Sequence, residues 1–182
     1  MKKIFLILLA MYSFQAAAQN KYFTKNGHIQ FFSEAPLENI EAHNHQVAGI
    51  LDISKNELAV SLLIKAFKFD KSLMEEHFNE NYLESDKFPK SVLVGSLKLK
   101  EVIDPNKNGI YPVTIDGKLT LHGVTKAVSI TGTIEVQKGQ LLAKAKFQIS
   151  IKDYNIEIPT LVIKNIAEVV DVTVELPFTL EK

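Results

Sequence analysis

The sequence predicts an all-β fold, an up-and-down antiparallel barrel or a sandwich, and two observations predict it. The first is a period of two in the apolar residues. In "LLAKAKFQISI", Leu141, Ala143, Ala145, Phe147, Ile149 and Ile151 share one face, and Lys144, Lys146, Gln148 and Ser150 share the other. In "VVDVTVELPFTL", Val170, Val172, Val174, Leu176 and Phe178 oppose Asp171, Thr173 and Glu175. Clean alternation over about ten residues marks a half-buried antiparallel strand. The second is regular turn punctuation, which divides the chain into eight or nine strands that follow one another by hairpins.

The chain opens with "MKKIFLILLAMYSFQAAAQN": two lysines, a short apolar run and Ala16-Ala17-Ala18. This pattern predicts a secretory signal peptide over residues 1–18, cut before Gln19, with the barrel domain over 19–182. The apolar run is shorter than the ~20 residues a membrane helix needs, so the expectation is an exported, periplasmic or secreted protein with at most peripheral membrane contact. There is no cysteine, so no disulfide, thiol chemistry or lipid-anchoring Cys enters the reading.

Next come the turns. Asn26-Gly27 reads as a hairpin between "KYFTK" and "HIQFF". "SKN", "DPNKNG", "GVT" and "QKG" divide the later strands. One segment has helical spacing instead: Leu73, Met74, His77 and Phe78 in "FDKSLMEEHFNENY". Ser72 followed by Glu75 resembles a capping box, with Phe69 as a staple, and a short helix is expected over about Ser72–Asn79. Its apolar stripe is expected to cover the mouth or edge of the barrel. "DYNIEIPTLVIKN", with Pro159, is too apolar for a solvated loop and is expected to pack on the barrel.

Charge narrows the function. Loss of residues 1–18 leaves 19 lysines against 21 acids, a net charge of −2. All 21 basic residues are lysine, so bidentate arginine clamps on phosphate are unavailable, and nucleic acid is not expected as a partner. No nucleotide loop or Ser-His-Asp order is present, and no cofactor is expected.

His122 lies in "DGKLTLHGVTKAV". Alternation places it on the polar face at a strand end, with Gly123 making the turn and Thr125 beside it. With no second catalytic group near it in sequence, its role reads as architectural. The run "GKLTLHGVTKAVSI" closely resembles the signature of the YceI-like family, exported lipocalin-shaped proteins. "HFNENYLESDKFPKSVLVG" and "IKDYNIEIP…VDVTVELPF" resemble that family's helix region and closing strands, so the likeness runs from about residue 40 to the end. It implies an eight-stranded antiparallel lipocalin-like barrel with one short helix, holding a long-chain isoprenoid or similar amphiphilic lipid without catalysis. It also points to a homodimer. The chain departs from the family pattern in having no arginine and in carrying "IKDYNIEI" where an "R-x-D-F-G"-like run is usual.

Small residues on the inward faces (Gly95, Gly117, Gly132, Ala143 and Ala145) leave room along the barrel axis, or relieve strain where strands bend. On the tunnel reading, Gly117, Leu119, Leu121, Ala143, Ala145, Phe147, Val172 and Val174 line it. Phe67, Phe69, Met74 and Phe78 lie near the ligand at the helix. Each buried CH₂ contributes about 0.8 kcal/mol, so one isoprene unit contributes roughly 3 kcal/mol before costs. An outer-membrane barrel is disfavoured by the lysine-rich polar faces and the lack of tryptophan.

"HNH" sets His43 and His45 on one face of a strand. Two imidazoles so placed can share a metal ion, with His122 or Glu41 as a third ligand, but two ligands are not a site, such spacing is common by chance, and no metal is expected. Asn44 then points the other way with Ala42 and Gln46. It reads as a head-group contact or as a buried amide serving the backbone. Two rivals to lipid binding stay open: a metal-dependent enzyme on the same barrel using His43, His45 and His122, and a structural or stress-associated barrel with a packed core.

Overall fold

A computed structural model describes residues 21–35, 37–158 and 166–180. The expected signal peptide and Pro159 lie outside the described residues. The strands are β1 (Lys21–Glu34), β2 (Asn39–Asp52), β3 (Glu57–Leu63), β4 (Lys68–Phe69), β5 (Lys90–Leu99), β6 (Gly109–Leu121), β7 (Val124–Gln137), β8 (Gln140–Ser150) and β9 (Val169–Leu180). Eight of them pair antiparallel around a ring, β1-β2-β3-β5-β6-β7-β8-β9, and β9 returns to β1. Closure leaves this ring without a free edge. The two-residue β4 adds to β2 through Ala42↔Phe69 and His43↔Lys68. The expected eight-stranded barrel with one short helix is therefore the fold.

The alternation read from the sequence has its apolar side inside. Leu141, Leu176 and Phe178 are buried, while Lys144 and Lys146 are exposed. An outer-membrane barrel has the reverse arrangement.

Two bulges reset the alternation. Thr24 pairs with Gly49 and Gly27 with Val47, so β1 carries one extra residue. Gly27 pairs with Val47 and Ile29 with Asn44, so β2 carries the next. Asn26-Gly27 is thus a bulge inside a continuous strand, not the expected hairpin. Glycine is needed there for packing: an added Cβ would lie 2.4 Å from Leu176 Cδ2. The β2 bulge turns both His45 and Gln46 outward, so Gln46 does not share the face of Ala42 and Asn44. Extra residues of this kind let a small barrel coil without turning its core outward.

The barrel is filled unequally. At the end where β1 begins and β9 finishes, Tyr22, Leu51, Val136, Leu141 and Phe178 are each at most 2% exposed and pack together. Midway, Gly95 and Gly117 pair directly across β5 and β6. A Cβ on Gly117 would sit 2.5 Å from the Val94 carbonyl oxygen, so the strands approach more closely there than any side chain permits. Among the described residues, the helical elements lie at the opposite end.

Candidate functional site

At that opposite end lies an apolar cavity of about 270 Å³. Strand residues Ile29, Phe31, Leu119, Leu121, Phe147 and Val172 form its walls. A second space of about 90 Å³ continues toward the barrel centre, lined by Ala143, Ala145 and Val174 among others. Ile29, Leu62, Ser91, Leu119 and Phe147 border both, so the two are neighbouring parts of one interior.

The helix supplies the cover. α1 runs Ser72–His77 and continues into a wider π-type turn over Phe78–Tyr82, closed by Leu83 N–H donating to Phe78 C=O at 2.9 Å. The expected helix over about Ser72–Asn79 covers α1 and the start of the wider turn, which carries on through Asn79 and Asn81 to Tyr82. The capping box does not form. Lys71 is the N-cap and no side chain caps the helix. Glu75 reaches back instead to Lys68 Nζ and, at 3.4 Å, to the Phe69 N–H.

Met74 and Phe78 face the cavity beside Phe67 and Phe69, which arrive from the segment after β3. Phe31 stacks on Phe78 at 5.5 Å between ring centroids and meets Phe67 edge-on at 5.5 Å. Phe69 lies 5.0 Å from Phe78. These aromatic pairs lock the cover onto the wall of β1.

Of the residues expected to line a tunnel, Phe67, Phe69, Met74, Phe78, Leu119, Leu121, Ala143, Ala145, Phe147, Val172 and Val174 all border this interior. Gly117 does not, because it is spent on the close approach to Gly95. Asn44 does not either. It is fully buried, and its Nδ2 donates to Leu63 C=O at 2.9 Å while its Oδ1 accepts from Gln46 N–H at 2.8 Å. It fills the gap where β3 peels away from β2 before β4 rejoins it. Sequence reasoning missed Phe31, which the β-period of "HIQFF" alone marks as inward only once the bulge is known. It also missed Ile156, Ile158 and Ile166, which approach the cavity from the β8–β9 connection. Of that connection, Tyr154 and Ile156 are buried, as its apolar composition leads one to expect.

His122 is the largest correction. It is not on the polar face but buried in the two-residue turn between β6 and β7, with φ +49° and Gly123 at +73°. Positive φ at both central residues is the turn type that matches strand twist. The ring is aimed at the cavity rim: Nδ1 lies 3.0 Å from Tyr154 C=O and Nε2 lies 2.9 Å from Glu84 Oε2. Phe88 packs edge-on at 4.6 Å. Thr125 bonds Thr120 side chain to side chain at 2.8 Å, not the turn backbone. The hydrogen bond from His122, then that from Lys87 and their charges, outweigh desolvation and hold Glu84 below the usual carboxylate range. His122 therefore pins three rim segments together: the turn, the stretch after the helix, and the β8–β9 connection.

The three histidines weighed as metal ligands do not come together. His43 and His45 lie on the outer wall of β2, and the imidazole that joins them is His28 of β1, not His122.

Known proteins bear on the fold as follows. There is no significant match among curated proteins. Similar solved structures include a polyisoprenoid binding domain from Saccharophagus degradans implicated in plant cell wall breakdown, at TM-score 0.76 and 13% identity over 90% of this chain and 99% of that one. Burkholderia cenocepacia BcnA follows at TM-score 0.69 and 13% identity, over 83% of this chain and 95% of that one. A Campylobacter jejuni YCEI protein matches at TM-score 0.57 and 15% identity, over 82% and 89%. At these identities the structures share the fold. The sequence itself matches the model of the YceI-like domain over residues 16–179, and with nearly the whole chain inside that match, the protein belongs to the YceI-like family.

Proposed function

We propose that the barrel binds one long-chain, isoprenoid-type lipid in its apolar interior, without catalysis, and acts in the periplasm or outside the cell after its signal peptide is removed. The observation that carries the reading is the pair of neighbouring apolar spaces, about 270 and 90 Å³, in a barrel stopped at its other end. A cavity of about 150 Å³ lined by aliphatic residues already takes up benzene, so the larger space has room for several isoprene carbons. The polar groups along it are mostly engaged. Ser33 Oγ accepts from Ala167 N–H at 2.9 Å, and Ser91 Oγ donates to Thr120 C=O at 2.9 Å. Glu38, His77 and Tyr82 border the cavity at the covered end and are suited to meet a head group. The polyisoprenoid binding named for the Saccharophagus degradans domain, which shares the fold, supports the same ligand class.

Native mass spectrometry of the mature protein, purified without detergent from an exporting host, tests the reading. Excess mass that solvent extracts as a polyprenyl or quinone species is the expected result. A bare polypeptide mass that stays bare after incubation with isoprenoid lipids would overturn it.

A further inference from the structure

We propose that His28, His43 and His45 form a binding site for one divalent transition-metal ion on the outer wall of the barrel, apart from the lipid cavity. The three side chains stand on neighbouring strands β1 and β2, and their candidate ligand nitrogens all lie within 4.8 Å of one another. His28 Nε2 and His43 Nδ1 are already 3.0 Å apart. With metal–nitrogen bonds of 2.0–2.1 Å, two nitrogens on one ion are separated by about 2.9 Å at a right angle and about 3.4 Å at the tetrahedral angle. The observed spacing falls inside that window, and the contact is a hydrogen bond between the two rings that a bound ion would replace.

His43 is held ready by a carboxylate. Glu41 Oε1 lies 3.0 Å from His43 Nε2, and Gln30 Nε2 donates to the same oxygen at 2.6 Å. A proton on Nε2, given to Glu41, leaves the Nδ1 lone pair directed at His28. Carboxylates play this part behind metal-bound histidines, where they fix the tautomer and raise ligand basicity. Glu175 of β9 is the register partner of His28 and adds negative charge on its other side.

Ring movement is required. The three ring planes lie within 12° of one another, His28 on His43 at 12°, His28 on His45 at 6° and His43 on His45 at 10°, so His28 and His43 must turn out of this parallel arrangement for their lone pairs to meet at one point. His45 is exposed, and the torsion that turns its ring is soft, so it swings out of the stack to complete the set. Three imidazoles suit Cu²⁺, Ni²⁺ and Zn²⁺, with Cu²⁺ held most tightly. The fourth position is left to water or to a carboxylate.

The test is calorimetric titration of the mature, tag-free protein with Zn²⁺ and with Cu²⁺, read beside the visible spectrum of the Co²⁺ form. One ion per chain is expected, with Cu²⁺ tighter than Zn²⁺. His28→Ala and His45→Asn are each expected to abolish saturable uptake while circular dichroism and melting stay native, as suits outward-facing side chains. Glu41→Gln, which keeps a hydrogen-bonding partner but removes the charge, is expected to weaken binding by about 10–100-fold. Absence of saturable uptake by the unaltered protein, or equal uptake by the folded His28→Ala variant, would overturn the proposal.

Discussion

His122 and Glu84 stand 38 residues apart in the chain and meet at 2.9 Å across the rim of the cavity. A second bond from the same ring reaches Tyr154 at 3.0 Å. One side chain thus joins the segment that covers the interior to the connection that flanks it.

Replacing that ring should loosen the rim. His122→Ala leaves the Tyr154 carbonyl without its partner and opens a hole beside Phe88. A loss of about 1–3 kcal/mol in urea unfolding is expected. Hydrogen exchange should quicken at residues 83–88 and 151–156 while the packed end stays protected.

Acid should release the same contact. Glu84 is held below the usual carboxylate range, so the folded state favours its ionised form. Its stabilising contribution is complete above the unfolded carboxyl value and is lost as pH falls through the lowered folded value. Stability against urea, followed downward from neutrality, should fall less steeply below about pH 4.5 in Glu84→Gln than in the unaltered protein. Identical acid limbs would remove Glu84 from the account.

Asn44 should behave as a backbone surrogate. Asn44→Leu strands the Leu63 carbonyl and the Gln46 amide without partners. It is expected to cost about 1–3 kcal/mol or more, with lipid uptake by the folded fraction unchanged.

Gly117 and Ala145 separate two meanings of a small residue. Gly117→Ala places a methyl 2.5 Å from the Val94 carbonyl oxygen and must push strands apart. A destabilisation of about 1–3 kcal/mol is expected. Ala145 borders the inner space, so Ala145→Phe fills room that is already there. It should leave thermal unfolding within a few degrees of the unaltered protein while displacing bound lipid. A large loss of stability with unchanged lipid content would contradict a hollow interior.

The strands could be read because their cause is local. Leu141 to Ile151 and Val170 to Phe178 alternate without interruption, and each such run pairs with its neighbour in register. Three features escaped for the opposite reason. Asn26-Gly27 carries the strongest short turn signal, yet Leu176, about 150 residues later, decides that Gly27 packs rather than turns. Ser72 and Glu75 have capping-box spacing, but Lys68 and the Phe69 amide compete for Glu75 and win. His28 could be joined to His43 and His45 only through the β1–β2 register, which depends on both bulges. The strand residues that were named in the lining, Leu119, Leu121, Ala143, Ala145, Phe147, Val172 and Val174, were readable because facing inward is a property of a strand. The rim was not, since Glu84 and Tyr154 reach His122 from segments with no periodicity to follow.

The packed core of Tyr22, Leu51, Leu141 and Phe178 makes the barrel a blind alley rather than a corridor. A guest that slides in tail first stands with its last atoms at the rim and must back out the way it came. Entry and exit then compete for one doorway. A chain too long for the alley leaves its remainder outside, and the depth of the alley becomes a measure of how much of the molecule is hidden from water.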